Sequence, residues 1–229
     1  LATLDLALSA ASAQAVSKSA VTQARQRLGA KPLAQLFDQT ARAWCQQDAE
    51  YHAWQGLSLW AMDGTTFRTP DSTNNRAHFG AQAYASGKVA SYPQVRAVSI
   101  TAIPTHLVSD IAFGTYAQNE MLYAKTLVGR IADHSLTVFD RGFLSAEILL
   151  GLTLGGQERH YLIPAKSNTK WEVLSGSADD CLVRMRVSPQ ARAKAPELPE
   201  HWTARAVRMV SANGKQRVLL TSLLDRRRF

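Results

Sequence analysis

Leu57-Ser58-Leu59-Trp60-Ala61-Met62-Asp63 and Leu136-Thr137-Val138-Phe139-Asp140 are short apolar runs, each ending in an aspartate. The first is followed by Gly64-Thr65-Thr66 and the second by Arg141-Gly142-Phe143. Apolar runs this short, closed by a turn signal, predict buried strands. A carboxylate at the tip of each falls where an α/β sheet places its chemistry, in the crevice beyond the strand ends. If the two strands are neighbours, Asp63 and Asp140 can share a divalent cation, and the chemistry this suggests is phosphoryl transfer.

Outward from these runs the chain alternates in type. Phe67 to Tyr92 carries Pro70, Asp71, Asn74, Asn75, Gly80 and Gly87, with Pro93 at its edge, and reads as a long loop of functional kind. Val95–Ile103 and His106–Phe113 alternate as a hairpin pair joined at Pro104-Thr105. Gln118–Ile131 is an amphipathic helix carrying Met121, Leu122, Leu127, Val128 and Ile131. After the Asp140 strand come a helix at Ser145–Leu152, a Gly155-Gly156 turn and a strand at His160–Ala165. In an RNase H-like sheet with this order, the first strand lies beside and parallel to the fourth. Asp63 and Asp140 would then meet on one edge.

The two ends of the chain read differently. The first 55 or so residues are predicted helical: Leu33, Leu36, Phe37, Thr40 and Trp44 form an amphipathic stripe, Pro32 suits an early helix position, and Gly29 suits a helix stop. The preceding segment, Ser19 to Leu28, has a Ser/Thr/Gln/Arg face like that of a major-groove recognition helix, with Arg25 and Arg27 on it. A plain surface helix of a small bundle fits equally. From Trp171 onward the pattern is β. Cys181–Val187 alternates apolar with basic residues, a Pro-rich break spans Pro189–Pro199, Trp202–Val210 is a strand, and Asn213-Gly214 signals a hairpin back into Val218–Leu224.

The expected fold class is therefore α/β, an RNase H-like mixed sheet with helices, a helical N-terminal region and a β-rich insertion toward the C-terminus. The expected divisions are residues 1–55, 56–168 and 169–229.

The charge is uneven. Residues 184–229 hold eleven Lys/Arg against Glu197, Glu200 and Asp225, an excess of eight, which equals the net charge of the whole chain, +8. A local excess of this kind suits a polyanion such as nucleic acid, or else a well-solvated basic surface. Candidate phosphate contacts are Lys166, Lys170, Arg184, Arg186, Arg205, Arg208, Lys215 and Arg217. Trp171 and Trp202 are either core residues or platforms for an extruded base. No run of about 20 apolar residues or signal peptide is visible, and Cys45 and Cys181 lack metal-ligand spacing, so a cytoplasmic protein with reduced thiols is expected.

At these residues the sequence resembles the DDE transposases of bacterial insertion sequences, of the insertion element 4 type. The resemblance is carried by Ser19 through Gly29, Met62-Asp63-Gly64-Thr65, Asp71 through Asn75 with Phe79-Gly80, Phe139-Asp140-Arg141-Gly142-Phe143, and Leu220 through Asp225. It implies an RNase H-like domain interrupted by a β-domain, cut-and-paste transposition, and Asp63 and Asp140 as ligands of Mg²⁺ or Mn²⁺. It implies double-stranded DNA as partner, as transposon ends and target, and a homodimer acting on paired ends. Supporting roles fall to Gly64, Thr65, Arg141 and Gly142: Gly142 for a tight strand exit, Arg141 to neutralise Asp140 or touch a phosphate. Phe143 is expected in the core.

Two departures stand out. The family's third carboxylate, a glutamate within a Tyr-Arg-Glu-Lys signature, has no counterpart before the chain stops at Arg226-Arg227-Arg228-Phe229, and Glu147 and Glu158 are poor stand-ins. Position 164 is proline where the family usually has arginine, removing a cation and a backbone donor. Together with a start at Leu1, this leads us to expect a transposase fragment that does not cleave DNA alone. The alternatives are a DNA-binding protein without catalysis and a metal-dependent nuclease unrelated to mobile DNA.

Overall fold

Among the described residues nine strands pair into one mixed sheet, whose order, counting strands along the chain, is 3-2-1-4-5-9-8-7-6. The computed structural model describes residues 17–211 and 214–229. They fall into two units, Leu1–Thr40 and Ala41–Phe229.

In the first unit, α1 (Lys18–Leu28) begins where the Ser17 hydroxyl accepts the Ala20 N–H at 3.1 Å, and it stops at Gly29, whose φ of 71° favours glycine. Helix α2 (Lys31–Tyr51) takes Pro32 in its first turn, where the missing N–H costs nothing. Its residues from Ala41 onward belong to the second unit, in which Ala41 and Cys45 are buried. The amphipathic stripe is not a buried one: Leu33, Leu36 and Trp44 are all more than half exposed.

The sheet begins with β1 (Ser58–Arg68), β2 (Gln94–Ala102) and β3 (Val108–Thr115), antiparallel in sequence. Next, α4 (Glu120–Val128) leads to β4 (Ser135–Phe139), parallel to β1, and α5 (Ala146–Leu154) leads to β5 (Arg159–Pro164), parallel to β4. This is the RNase H-like order the sequence predicts. Tyr123, Ala124, Leu127, Val128, Ile148, Leu149 and Leu152 of the two helices are buried against Trp60, Met62, Val98, Ile100 and Phe139 of the sheet. On the opposite face, Leu57, Leu136 and Leu223 form a smaller cluster.

Two readings change. The Asp63-Gly64 step is no turn: β1 continues to Arg68, paired with β2 as far as Arg68↔Gln94. The long loop contains a helix, α3 (Thr73–Phe79), capped by the Ser72 hydroxyl on the Asn75 N–H. The β-rich insertion extends the same sheet. Strands β6 (Glu172–Gly176), β7 (Asp180–Arg186) and β8 (His201–Val210) are followed by β9 (Gln216–Thr221), which returns to pair antiparallel with β5. The Pro-rich break holds a short helix, α6 (Pro189–Lys194). Asn213 lies outside the described residues, but β8 and β9 form the expected hairpin, with Gly214 at φ 77°.

Candidate functional site

Register places the two aspartates side by side. The β1–β4 ladder runs from Ser58↔Ser135 to Met62↔Phe139, so Asp63 and Asp140 are the next residues on two adjacent parallel strands, about 4.8 Å apart. Period-two alternation puts them on the same face as Leu59, Ala61, Leu136 and Val138. Both are exposed. Each accepts one local backbone N–H: Asp63 Oδ1 from Gly64 at 2.7 Å, Asp140 Oδ2 from Gly142 at 3.0 Å. Asp140 thereby caps the single 3-10 turn Arg141–Phe143. One carboxylate oxygen of each remains for other work.

The flanking residues hold this geometry. A Cβ at residue 64 would lie 2.8–3.2 Å from the Glu120 carboxylate, and one at residue 142 would lie 3.2 Å from Asp140 Oδ2. At residue 142 that Cβ would press on the capping Asp140 oxygen at the strand exit, whereas at residue 64 it meets the flexible end of Glu120, which can swing aside. Phe143 is buried, as expected. Thr65 is exposed on the β1 extension, opposite Ala97. No salt bridge joins Arg141 to Asp140 among the described residues. Arg141 instead lines a groove of about 650 Å³ with Asp140, Pro164, Lys166, Trp171, Lys215 and Arg217. Pro164 lies in this wall, whose cations are Arg141, Lys166, Lys215 and Arg217.

The other predicted phosphate contacts scatter. Lys170 is exposed beside a neighbouring depression. Arg184 is bidentate to Glu172, and Arg186 and Arg208 face Glu200 and Asp179 at 3.8 and 3.5 Å. Arg205 is committed to structure: it grips Asp180 with two bonds of 2.9 Å and donates to the Phe229 carbonyl at 3.0 Å. That guanidinium holds the Asp180 carboxyl below the usual carboxylate range. Arg25 and Arg27 are exposed in the last turn of α1, where cations also suit the helix dipole. Trp202 is buried against Tyr161, ring centroids 6.0 Å apart, so it is no base platform; Trp171 is half-buried and faces the groove.

Neither stand-in glutamate joins the pair. Glu147 is bonded to Lys125 on α4. Glu158 precedes β5, at the opposite edge of the sheet, where Arg228 and His134 hold its carboxyl down at about 2. Sequence reading missed Glu120 altogether. It abuts Gly64 and faces Arg96 at 3.9 Å, but it comes from α4, on the other side of the sheet from Asp63. Among the described residues no three His, Cys, Asp or Glu side chains gather closely enough to hold a metal. A pair of exposed hard oxygen donors still fits Mg²⁺, which keeps several waters and needs few carboxylates.

Among the described residues no helix is long and apolar enough to cross a membrane. The transposase DDE domain matches residues 54–225, and the insertion element 4 transposase N-terminal region matches residues 1–38. The chain is 40% identical to the transposase InsG for insertion sequence element IS4 of Escherichia coli, over 93% of this chain and 48% of that protein. It is 38% identical to the putative transposase InsZ of the same organism, over 69% of this chain and 53% of that one. It thus spans about half the length of the curated relatives it matches. A cryo-EM structure of a piggyBac transposase synaptic complex with hairpin DNA aligns over 73% of this chain and 33% of that chain, at 11% identity and a TM-score of 0.38, too loose a likeness to build on. The chain belongs to the DDE transposase family of insertion element 4 type.

Proposed function

We propose that this chain carries the metal-binding half of a transposase active site, used for phosphodiester hydrolysis and strand transfer at the ends of an insertion sequence. The supporting observation is the register that sets Asp63 beside Asp140 on one face, at the mouth of a groove walled by Arg141, Lys166, Lys215 and Arg217. A divalent ion such as Mg²⁺ or Mn²⁺ bound there would supply activation of a water or 3′-hydroxyl and stabilisation of the leaving oxygen. The free oxygens of Asp63 and Asp140 would hold it, while the Gly64 and Gly142 N–H groups fix the carboxylates' rotamers. The groove cations position the DNA backbone without reading sequence.

The partner in this reading is double-stranded DNA, as terminal inverted repeats and as target, handled by a homodimer on paired ends in the cytoplasm at the nucleoid. Residues 1–55, with Arg25 and Arg27, form the DNA-binding region, residues 56–168 the first part of the catalytic core, and residues 169–229 the β-rich insertion.

Manganese binding to the 229-residue chain, followed by electron paramagnetic resonance, tests the site. Binding should be lost in both Asp63→Asn and Asp140→Asn. Retention in both variants would overturn the reading. Cutting of a labelled insertion-sequence end by the full-length gene product should also disappear in each variant; unchanged cutting would favour a DNA-binding role for this pair of strands.

A further inference from the structure

The β1–β2 ladder outruns the carboxylate pair by five residues, Gly64 to Arg68, or about 17 Å. Past Met62, β1 has β2 on one side and, among the described residues, no paired strand on the other. The ladder ends in a braced lobe, residues 69–93. Asp71 and Arg76 are paired by two bonds, 2.5 and 2.9 Å, and Arg76 also donates to the Ser91 carbonyl at 2.8 Å. Asn75 donates to the Pro70 carbonyl, Thr69 N–H to Pro93, and Gln94 N–H to Gly80. The residues from Asp71 to Asn75 that carry the family resemblance are the frame of this lobe.

The frame presents a cleft of about 430 Å³ lined by Arg68, Tyr84, Ser86, Lys88 and Tyr92. Tyr84 and Tyr92 are nearly half exposed, and the Arg68 guanidinium stands 5.7 Å over the Tyr92 ring. The lobe's acid, Asp71, is already paired with Arg76. Among the described residues Arg68 and Lys88 have no ion-pair partner. Exposed rings between uncompensated cations match a ligand that alternates flat π surfaces with anions. Such a ligand is a single strand of nucleic acid, whose bases can stack because they are unpaired. A duplex offers phosphates but keeps its base faces inside.

We propose that this cleft binds an unpaired DNA segment adjoining the scissile phosphate, with phosphates at Arg68 and Lys88 and a base against Tyr84. The inference rests on the DNA-processing role proposed above. Alternation puts Arg68 on the face opposite Asp63, so the segment reaches the cleft around the free edge of β1.

Photocrosslinking of the 229-residue chain to bromodeoxyuridine-bearing oligonucleotides tests this directly. Tryptic cleavage separates the lobe, as Ala77–Lys88 with Tyr84 and Val89–Arg96 with Tyr92, from the groove peptide Trp171–Arg184. Single-stranded or tailed DNA should mark the lobe peptides. The double variant Arg68→Ala, Lys88→Ala, with its circular dichroism intact, should lose that mark, bind a single strand about tenfold more weakly, and lower the salt slope by about 1.4. Crosslinks confined to Trp171–Arg184 would overturn this cleft while leaving the catalytic reading in place. Crosslinks on neither would sink both, and lobe crosslinks with fully paired duplex alone would overturn the unpaired strand.

Discussion

Replacing Asp140 by asparagine separates two roles that one carboxylate performs. As a cap, Asp140 Oδ2 accepts the Gly142 N–H at 3.0 Å, and the amide oxygen of asparagine can accept the same bond. Removal of the cap by Asp140→Ala should cost about 1 kcal/mol. As a charge, Asp140 stands one parallel-strand spacing from Asp63. Two like charges about 5 Å apart repel by about 0.8 kcal/mol in a water-like dielectric, which is the fitting limit because both side chains are exposed. Asp140→Asn should therefore leave the metal-free protein as stable as the native chain, or more stable by up to about 0.8 kcal/mol, a rise of about 2–3 °C in Tm.

Metal reverses the order. At ten times its Kd, a divalent ion bound only by the folded chain contributes about 1.4 kcal/mol, or about 3–5 °C. The native chain should show that shift in Mg²⁺ or Mn²⁺, and both Asp140→Asn and Asp63→Asn should lose it. Differential scanning fluorimetry with and without metal, read against circular dichroism, supplies both numbers. A metal-free Asp140→Asn protein less stable by more than about 1 kcal/mol, with its metal shift intact, would refute the reasoning and make the carboxylate a purely structural cap.

Other substitutions test the surrounding assignments. Arg205→Ala should destabilise the fold by about 1–2 kcal/mol in urea melts, because it strips a half-buried Asp180 of its two-bond partner, and should leave the salt dependence of DNA binding unchanged. Arg217→Ala should do the reverse, lowering the duplex salt slope by about 0.9 with stability unchanged. Glu158 has a folded-state pKa depressed from 4.5 to about 2, so its contribution is fully present above about pH 4.5 and is lost as pH falls toward 2; melts across that window should lose this acid limb in Glu158→Gln. Leu149→Ala, at a fully buried position of α5 against the sheet, should cost about 2–5 kcal/mol in the same melts.

The parts of this fold that are written locally were legible. Asp63 and Asp140 each close a short apolar run, and the helix after the β2–β3 hairpin forces a crossover that makes β4 parallel to β1. What was misread depends on partners distant in sequence. Gly64 looked like a turn because its partner in the ladder, Val98 of β2, lies far along the chain. Arg205 looked like a phosphate contact because its acid, Asp180, is supplied by the neighbouring strand β7. The β-rich insertion was legible as strands, but alternation reports only that a strand has two faces and says nothing of which strand lies beside it. Here β9 comes back to β5, and one sheet results.

That continuity has a chemical consequence. Because β9 pairs with β5, Arg217 and Lys215 at its start are carried to the same edge as Pro164 and Lys166 at the end of β5, one strand away from Asp140. A basic wall and a carboxylate pair thus share one rigid sheet edge, with no hinge between them. On the other side of the pair, β1 continues along β2 and carries Arg68 away from it. Carboxylates placed alone on a surface would repel a phosphodiester. Cations fixed on one flank by β5 and β9 offset that repulsion without neutralising the ligands themselves, since neither Lys166 nor Arg217 is bonded to Asp63 or Asp140 among the described residues. Moving the Arg217 charge beyond the far end of β9, in an Arg217→Gln, Leu224→Arg pair, should therefore weaken DNA binding measured by anisotropy as much as Arg217→Gln alone, although the net charge is native; binding at the native level would mean that only total charge matters.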